Sequence, residues 1–300
     1  MIEKYYDGAI EQVAAGLGTV EKNHLLVRYS GQFSIEELSY KDQLEKMENI
    51  FVQMHEFEPG EITSAYEPYL TMICDGFRRY MTGTFEEFME ECDVYYLHRP
   101  VLLGYFNRGY AKREEIILLD EVAYEQERML AALERMLYAI ADRHPVLLIL
   151  NRFQLASKST MQLTARILKA ENSNIGLVLG VSDIQAMPEF LVPDWEMLYE
   201  TLDDGSKIYH IGNSGRKKEE IADDGKYADY GSEKVYRKLQ NMVEFLDFDQ
   251  AAYYLEVIER KIKFDNLFVD DPARFRMWLL FAKVSILRKD IPKALEICED

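Results

Sequence analysis

At 300 residues, nearly half of them apolar and under a third charged, the chain is long enough for one large or two ordinary domains and is not a disordered polymer. A formal net charge of −18 excludes the usual nucleic-acid binder, which needs a basic face to displace counterions from phosphates, and it repels anionic membranes. Three cysteines, Cys74, Cys92 and Cys298, are odd in number and far apart, which excludes a disulfide framework or a zinc knuckle and predicts free thiols in a reducing compartment.

The N-terminal segment is acidic and amphipathic, without a charged region leading into an apolar one, so it is not read as a signal peptide. Tyr6, Ile10, Val13 and Ala14 recur at helical spacing over 3–15, and Gly16-Leu17-Gly18 stops that helix. His24-Leu25-Leu26-Val27-Arg28-Tyr29 predicts a short buried strand. The spacing predicts helices over 41–55 and 66–80, separated by the breaker Glu58-Pro59-Gly60. A long helix is expected over 122–143, its apolar stripe running through Met129, Leu133, Met136 and Ile140 until His144-Pro145 ends it.

Val146-Leu147-Leu148-Ile149-Leu150 follows, an unbroken apolar run. It is far too short to span a membrane but suits a parallel strand covered on both faces. A helix over 159–170, a strand over 176–181 and a weaker strand over 207–211 come next. Strand, helix, strand in this order predicts right-handed crossovers and a mainly parallel sheet. Residues 213–232 are polar and glycine-containing, with Arg216-Lys217-Lys218 the one tight basic cluster, and read as a solvated loop. Beyond Glu233 the pattern is helical: 233–246, 248–263, 272–288 and a fourth helix from Ile291. The fold class is therefore α/β, a mainly parallel sheet with flanking helices, followed by an all-α segment. The expected location is the cytoplasm.

The five histidines are isolated and carry no second ligand at metal spacing, and no serine or cysteine sits in a nucleophile signature. Ile116-Ile117-Leu118-Leu119-Asp120-Glu121 reads as an apolar strand ending in two acids. Without a phosphate-cradling loop it is better explained by Asp120 or Glu121 capping the long helix.

The run from His144 to Met161, with its proline, apolar strand, Phe153, Gln154, Ala156, Thr160 and Met161 in register, resembles the Walker B region of STAND-type AAA+ ATPases, as in maltose-regulator-like activators. Arg28 to Phe33 is similar to the second strand and turn of that domain, and 176–182 to its sensor strand. The resemblance covers about residues 1–212 and implies a P-loop NTPase-like fold. The departures are in the chemistry. The positions that would hold the metal-organising and water-activating acids are Asn151 and Arg152, followed by Gln154, and the sensor position holds Asp183. No Gly-x4-Gly-Lys-Ser/Thr loop occurs anywhere. Because the helix at 3–15 stands where a P-loop helix would, that loop would have to precede Met1.

The stretch from Leu280 to Glu296 resembles a tetratricopeptide repeat, with Ala282 and Ala294 at the close helix contacts and Lys289-Asp290 at the turn. A weaker copy begins at Asp247-Phe248-Asp249-Gln250-Ala251. Three parts are expected: a degenerate α/β domain at 1–215, a linker at 216–232 and helical hairpins at 233–300, the whole being a piece of a longer protein. Together the resemblances imply a non-catalytic regulatory or protein-interaction module, a pseudo-ATPase core with helices that control an absent output domain. It has no resident metal or cofactor, and its partner is a protein or that output domain. Candidate partner-binding residues are Tyr253, Tyr254, Arg274 and Trp278. Two rivals stay open: a nucleotide-binding ATPase fragment using ATP and Mg²⁺, with its P-loop upstream of Met1, and a purely helical scaffold.

Overall fold

The computed structural model describes residues 2–19, 24–30, 33–38, 47, 49–113, 120–170, 172–182, 187–203, 207–211, 232–264, 267 and 269–299. Helix α1 (Ile2–Gly16) leads into strand β1 (His24–Tyr29). Strand β2 (Phe51–Glu56) is followed by four helices, α2 (Tyr69–Tyr80), α3 (Phe85–Glu91), α4 (Arg99–Arg108) and α5 (Val122–Ala141). Then come β3 (Val146–Asn151), α6 (Lys158–Lys169), β4 (Ile175–Ser182), α7 (Val192–Asp203) and β5 (Lys207–Ile211). Four further helices complete the described chain: α8 (Glu233–Glu244), α9 (Phe248–Phe264), α10 (Asp271–Leu287) and α11 (Ile291–Glu299).

The five strands form one sheet in the order β2-β3-β4-β1-β5, and every neighbouring pair is parallel. The parallel α/β sheet expected from the sequence is thus present. β3 and β4 are buried along their whole length, which is why their sequences do not alternate. Successive side chains still go to opposite faces. Leu147 and Ile149 join Tyr6, Ile10 and Val13 of α1 in a small core, while Leu148 and Leu150 enter a larger core built with α2, α5, α6 and α7. Two glycines of β4 let α1 lie close: a Cβ at Gly176 would fall 2.5 Å from Val13 Cγ1, and one at Gly180 would fall 2.5 Å from Asn151 Oδ1. α1 therefore runs antiparallel to the strands, its N-terminal turn over their C-terminal ends.

One expected helix is corrected. Of the 41–55 segment, residues 51–56 are not helical but form β2, in register with β3 from Phe51 opposite Val146 to Glu56 opposite Asn151. Residues 41–46 and 48 lie outside the described set. Helical spacing at Leu44, Met47 and Ile50 masked the strand, whose own side chains are mostly half-buried, as an edge position allows. The apolar spacing does not predict helices α3, α4 and α7. The first two carry readable signals: Thr84 and Glu87 form a capping box, and α4 starts at Arg99-Pro100 and ends on left-handed Gly109. Glu121 does occupy the N-cap of α5, but its side chain makes no capping bond, and Asp120 pairs with Lys289 instead. The strand expected before it falls on 116–119, outside the described residues.

The C-terminal helices share the larger core rather than hanging from it. Phe245 packs edge-on against Tyr66 and Tyr105, with ring centroids 6.1 and 5.7 Å away. Asn241 Oδ1 accepts from Ala111 N at 2.8 Å, and Gln126 Nε2 donates to Leu246 O at 2.7 Å. The expected linker at 216–232 lies outside the described residues except for Ser232, which caps α8.

α10 is apolar on both sides. Met277, Phe281 and Val284 are buried, while Phe275 and Leu279 are 66% and 56% exposed. Such a face, bare in water, binds hydrophobic dyes. The double substitution Phe275→Lys/Leu279→Lys is expected to lower anilinonaphthalene-sulfonate fluorescence markedly while changing stability by no more than about 0.5 kcal/mol per site. Unchanged fluorescence would mean that the face is covered.

Candidate strand-end site

In a parallel sheet the C-terminal strand ends are where ligands and chemistry usually gather. Four of them meet here in register: Glu56 lies opposite Asn151, and Tyr29 lies opposite Ser182. Asn151 is fully buried, and its amide is used on both sides. Oδ1 accepts from Tyr29 Oη at 2.7 Å, while Nδ2 donates to Phe33 O at 3.2 Å and Glu56 Oε1 at 3.4 Å. Glu56 Oε2 accepts from Ser34 Oγ at 2.7 Å and from Ile35 N at 2.9 Å, pinning the turn after β1.

Arg152 adopts a left-handed conformation, φ 53° and ψ 41°, that turns the chain out of β3. Its guanidinium then reaches Glu56 at 3.1 Å and Glu58 at 3.0 Å. Gln154 clamps the next turn to β4: Nε2 donates to Ser182 O at 3.1 Å and Oε1 accepts from Ser182 N at 3.3 Å. Over this network sit Tyr6 and Phe33, with ring centroids 5.1 Å apart. The buried Tyr6 hydroxyl has no hydrogen-bond partner among the described residues.

Burial raises the Tyr6 pKa, with Tyr29 and Glu56 adding to it, and burial likewise raises that of Tyr29 against the opposing pull of Arg152. Both phenols stay protonated at neutral pH and cannot serve as bases. A divalent cation here would need oxygen ligands with free lone pairs. The Asn151 carbonyl and both Glu56 oxygens are turned to partners within the protein, and no cluster of three His, Cys, Asp or Glu side chains suited to a metal exists among the described residues. The arrangement is a polar plug that ties four strand ends together.

Asn151, Arg152 and Gln154 therefore converge as one cluster, while Asp183 lies outside the described residues. Tyr6, Tyr29, Phe33, Ser34 and Glu56 complete it. No sequence signal marks them, because their meeting depends on strand order.

Just past the plug, Ser157 caps α6, and the next two N–H groups are capped from the C-terminal helices. Lys158 N donates to Gln250 Oε1 and Ser159 N to Asp247 Oδ2, each at 3.1 Å, and Lys158 Nζ pairs with Asp249 at 2.5 Å. Burial pushes the Asp247 carboxyl up to about 6. The folded chain thus holds this proton more tightly than the unfolded one does. Stability is expected to fall as pH rises from the ordinary aspartate value of 3.8 through about 6, and to level off above. Asp247→Asn keeps an acceptor and should flatten that slope in urea midpoints taken across the range. Equal slopes would contradict the assignment.

Of the candidate partner-binding residues, Tyr253 and Tyr254 are neighbours on α9, with ring centroids 5.4 Å apart. Tyr254 Oη turns inward to accept from Thr63 N at 3.5 Å. Arg274 is exposed and paired with Asp271, and Trp278 packs partly against the core. No hydrogen bond or ring contact joins the tyrosines to Arg274 or Trp278 among the described residues.

Elsewhere, His98 Nε2 lies 3.1 Å from Glu125 Oε2 in a fully buried pair. Burial, with Arg113 and Arg128 nearby, pulls the His98 imidazole down to about 4. Burial lifts the Cys74 thiol to about 12 and Cys92 to about 11, so neither is a thiolate nucleophile at neutral pH. No described helix is long and apolar enough to cross a membrane. Comparison with protein-family profiles finds no match for the chain, and comparison with curated proteins finds none either.

Proposed function

We propose that the chain is a non-catalytic regulatory or protein-interaction module: a pseudo-ATPase core of STAND type whose C-terminal helices, of tetratricopeptide character, convey its state to a protein partner or an output domain. The observation that carries this reading is the internal use of the strand-end groups. Asn151, at the position of a metal-organising acid, is fully buried and hydrogen-bonded to Tyr29, Phe33 and Glu56, and Arg152 is neutralised by Glu56 and Glu58. A hydrolytic site needs such groups free to face metal and water. The docking of Asp247, Gln250 and Asp249 onto the start of α6 supports the second half of the reading, since it couples the turn after β3 to the helices.

The rival, a nucleotide-binding fragment whose P-loop lies upstream of Met1, meets a geometric difficulty. A phosphate-cradling loop joins a strand end directly to its helix. The strands under α1 are β1, β3 and β4, with β4 paired to both of the others, so a further strand could join only beyond β2 or β5. The purified chain is expected to release no phosphate from ATP above the buffer rate, with or without Mg²⁺. Mg²⁺-dependent turnover would overturn the proposal.

A further inference from the structure

A cavity of about 320 Å³ opens where the α/β core meets the C-terminal helices. It is lined by Phe190, from the turn entering α7, by Asp249, Ala252, Tyr253 and Glu256 of α9, and by Arg288 at the end of α10. The four α9 residues stand at steps of three and four, so they form one face of that helix. Phe190 and Tyr253 make an aromatic wall, with ring centroids 4.7 Å apart and planes tilted by 34°. A flat apolar group lies well against such a wall.

The charges around the wall select further. Both oxygens of Asp249 are engaged, Oδ1 by Arg288 Nε at 3.1 Å and Oδ2 by Lys158 Nζ at 2.5 Å. Arg288 keeps both terminal nitrogens without a partner among the described residues, and the exposed Glu256 has none either. The cavity thus offers one unused guanidinium edge and one unused carboxylate. Lys158 and Arg288 balance Asp249 and Glu256, so neither a polyanion such as a nucleoside triphosphate nor a polycation is matched. Arg288 is anchored at Asp249, and Glu256 lies two helical turns further along α9, about 10 Å of rise. Ligand charges at that spacing must be separated by several bonds. The volume sits at the lower end of the range for small-molecule sites.

We infer that this cavity binds a dipeptide-sized zwitterion carrying a planar side chain, its carboxylate on Arg288, its ammonium on Glu256 and its ring on Phe190 and Tyr253. Such a ligand would touch the turn after β4, α9 and the end of α10 at once, beside the Lys158–Asp249 contact that docks the helices on the core. The site would give the module a small-molecule input. It does not depend on the strand-end plug being inert, so either reading can fail without the other.

The test is calorimetric titration of the full chain with the dipeptide Gly-Phe, and with N-acetyl-Gly-Phe-amide, which has the same ring and neither charge. Gly-Phe should bind saturably at millimolar or lower concentration. Capping, Glu256→Gln and Tyr253→Leu should each weaken it about tenfold, the loss of one charge-assisted bond or of the aromatic wall. Glu256 is exposed, so its variant should fold, which a melting curve verifies. No binding of Gly-Phe at millimolar concentration, equal binding of the capped form, or full affinity in the Glu256→Gln protein would each overturn the inference.

Discussion

Gly180→Ala is expected to destabilise the fold by about 2–3 kcal/mol, a large effect for one added methyl group. β4 lies inside the sheet, hydrogen-bonded on both sides to β1 and β3. The new Cβ would sit 2.5 Å from Asn151 Oδ1 and would meet the Tyr6 hydroxyl as well, both fully buried. Neither can move aside cheaply: Asn151 is held by Tyr29 and Phe33, and the Tyr6 ring lies against Phe33. Alanine's lower backbone entropy cost recovers only about 0.5–1 kcal/mol. Urea unfolding should show a lowered midpoint with an unchanged slope. Gly104→Ala in α4, where the nearest atom would be 3.5 Å away, should be neutral or mildly stabilising. A Gly180→Ala protein within about 0.5 kcal/mol of wild type would mean that α1 is not seated as described.

Asn151→Asp tests the plug itself, because under the proposed reading it sets an acid where a working ATPase of that type would carry one, with almost no change of shape. The Tyr29 hydroxyl could still donate to the new carboxylate. The lost amide donor, however, leaves Phe33 O without its Asn151 partner and sets a second carboxylate against Glu56, where Asn151 Nδ2 now stands 3.4 Å away. Arg152 already serves Glu56 and Glu58 and offsets only part of this. The expected loss near neutral pH is about 2–4 kcal/mol, the cost of a partly compensated buried charge and of a Phe33 carbonyl left only its longer contact with Arg152, at 3.5 Å.

The pH dependence has a definite sign. Burial and the neighbouring carboxylate raise the new aspartate above its unfolded value of about 3.9. The folded variant therefore binds this proton more tightly than the unfolded one does. Its deficit against wild type should be small below about pH 4 and grow as pH rises through the folded value. Urea midpoints of both proteins at several pH values measure this. A variant as stable as wild type that also gained Mg²⁺-dependent ATP turnover would show the strand ends to be a working site with one group missing.

Much of the architecture is legible in the chain. The apolar run of β3 and the glycine-punctuated one of β4 are short enough to read as strands covered on both faces, and the breaks at Pro145 and Gly16 mark helix ends that the structure keeps. β2 is not legible, since its side chains are half-buried and a helical rhythm runs into it from upstream. α3 is hidden by brevity, although its capping box is written in Thr84 and Glu87. The site divides along the same line. Asn151, Arg152 and Gln154 are contiguous with a recognisable strand and could be picked out by register. Tyr6, Tyr29 and Glu56 come from three other elements and meet only because the sheet order sets β1 beside β4 and β2 beside β3.

The central claim is that the strand ends are closed by the protein's own side chains. Calorimetric titration of the purified full chain with ATP-Mg²⁺ and with ADP, alongside melting curves at the same concentrations, tests it most directly, because a ligand that binds only the folded state must raise the melting temperature. No heat and no shift at millimolar nucleotide is the predicted result. Saturable binding accompanied by a rise in melting temperature would contradict it.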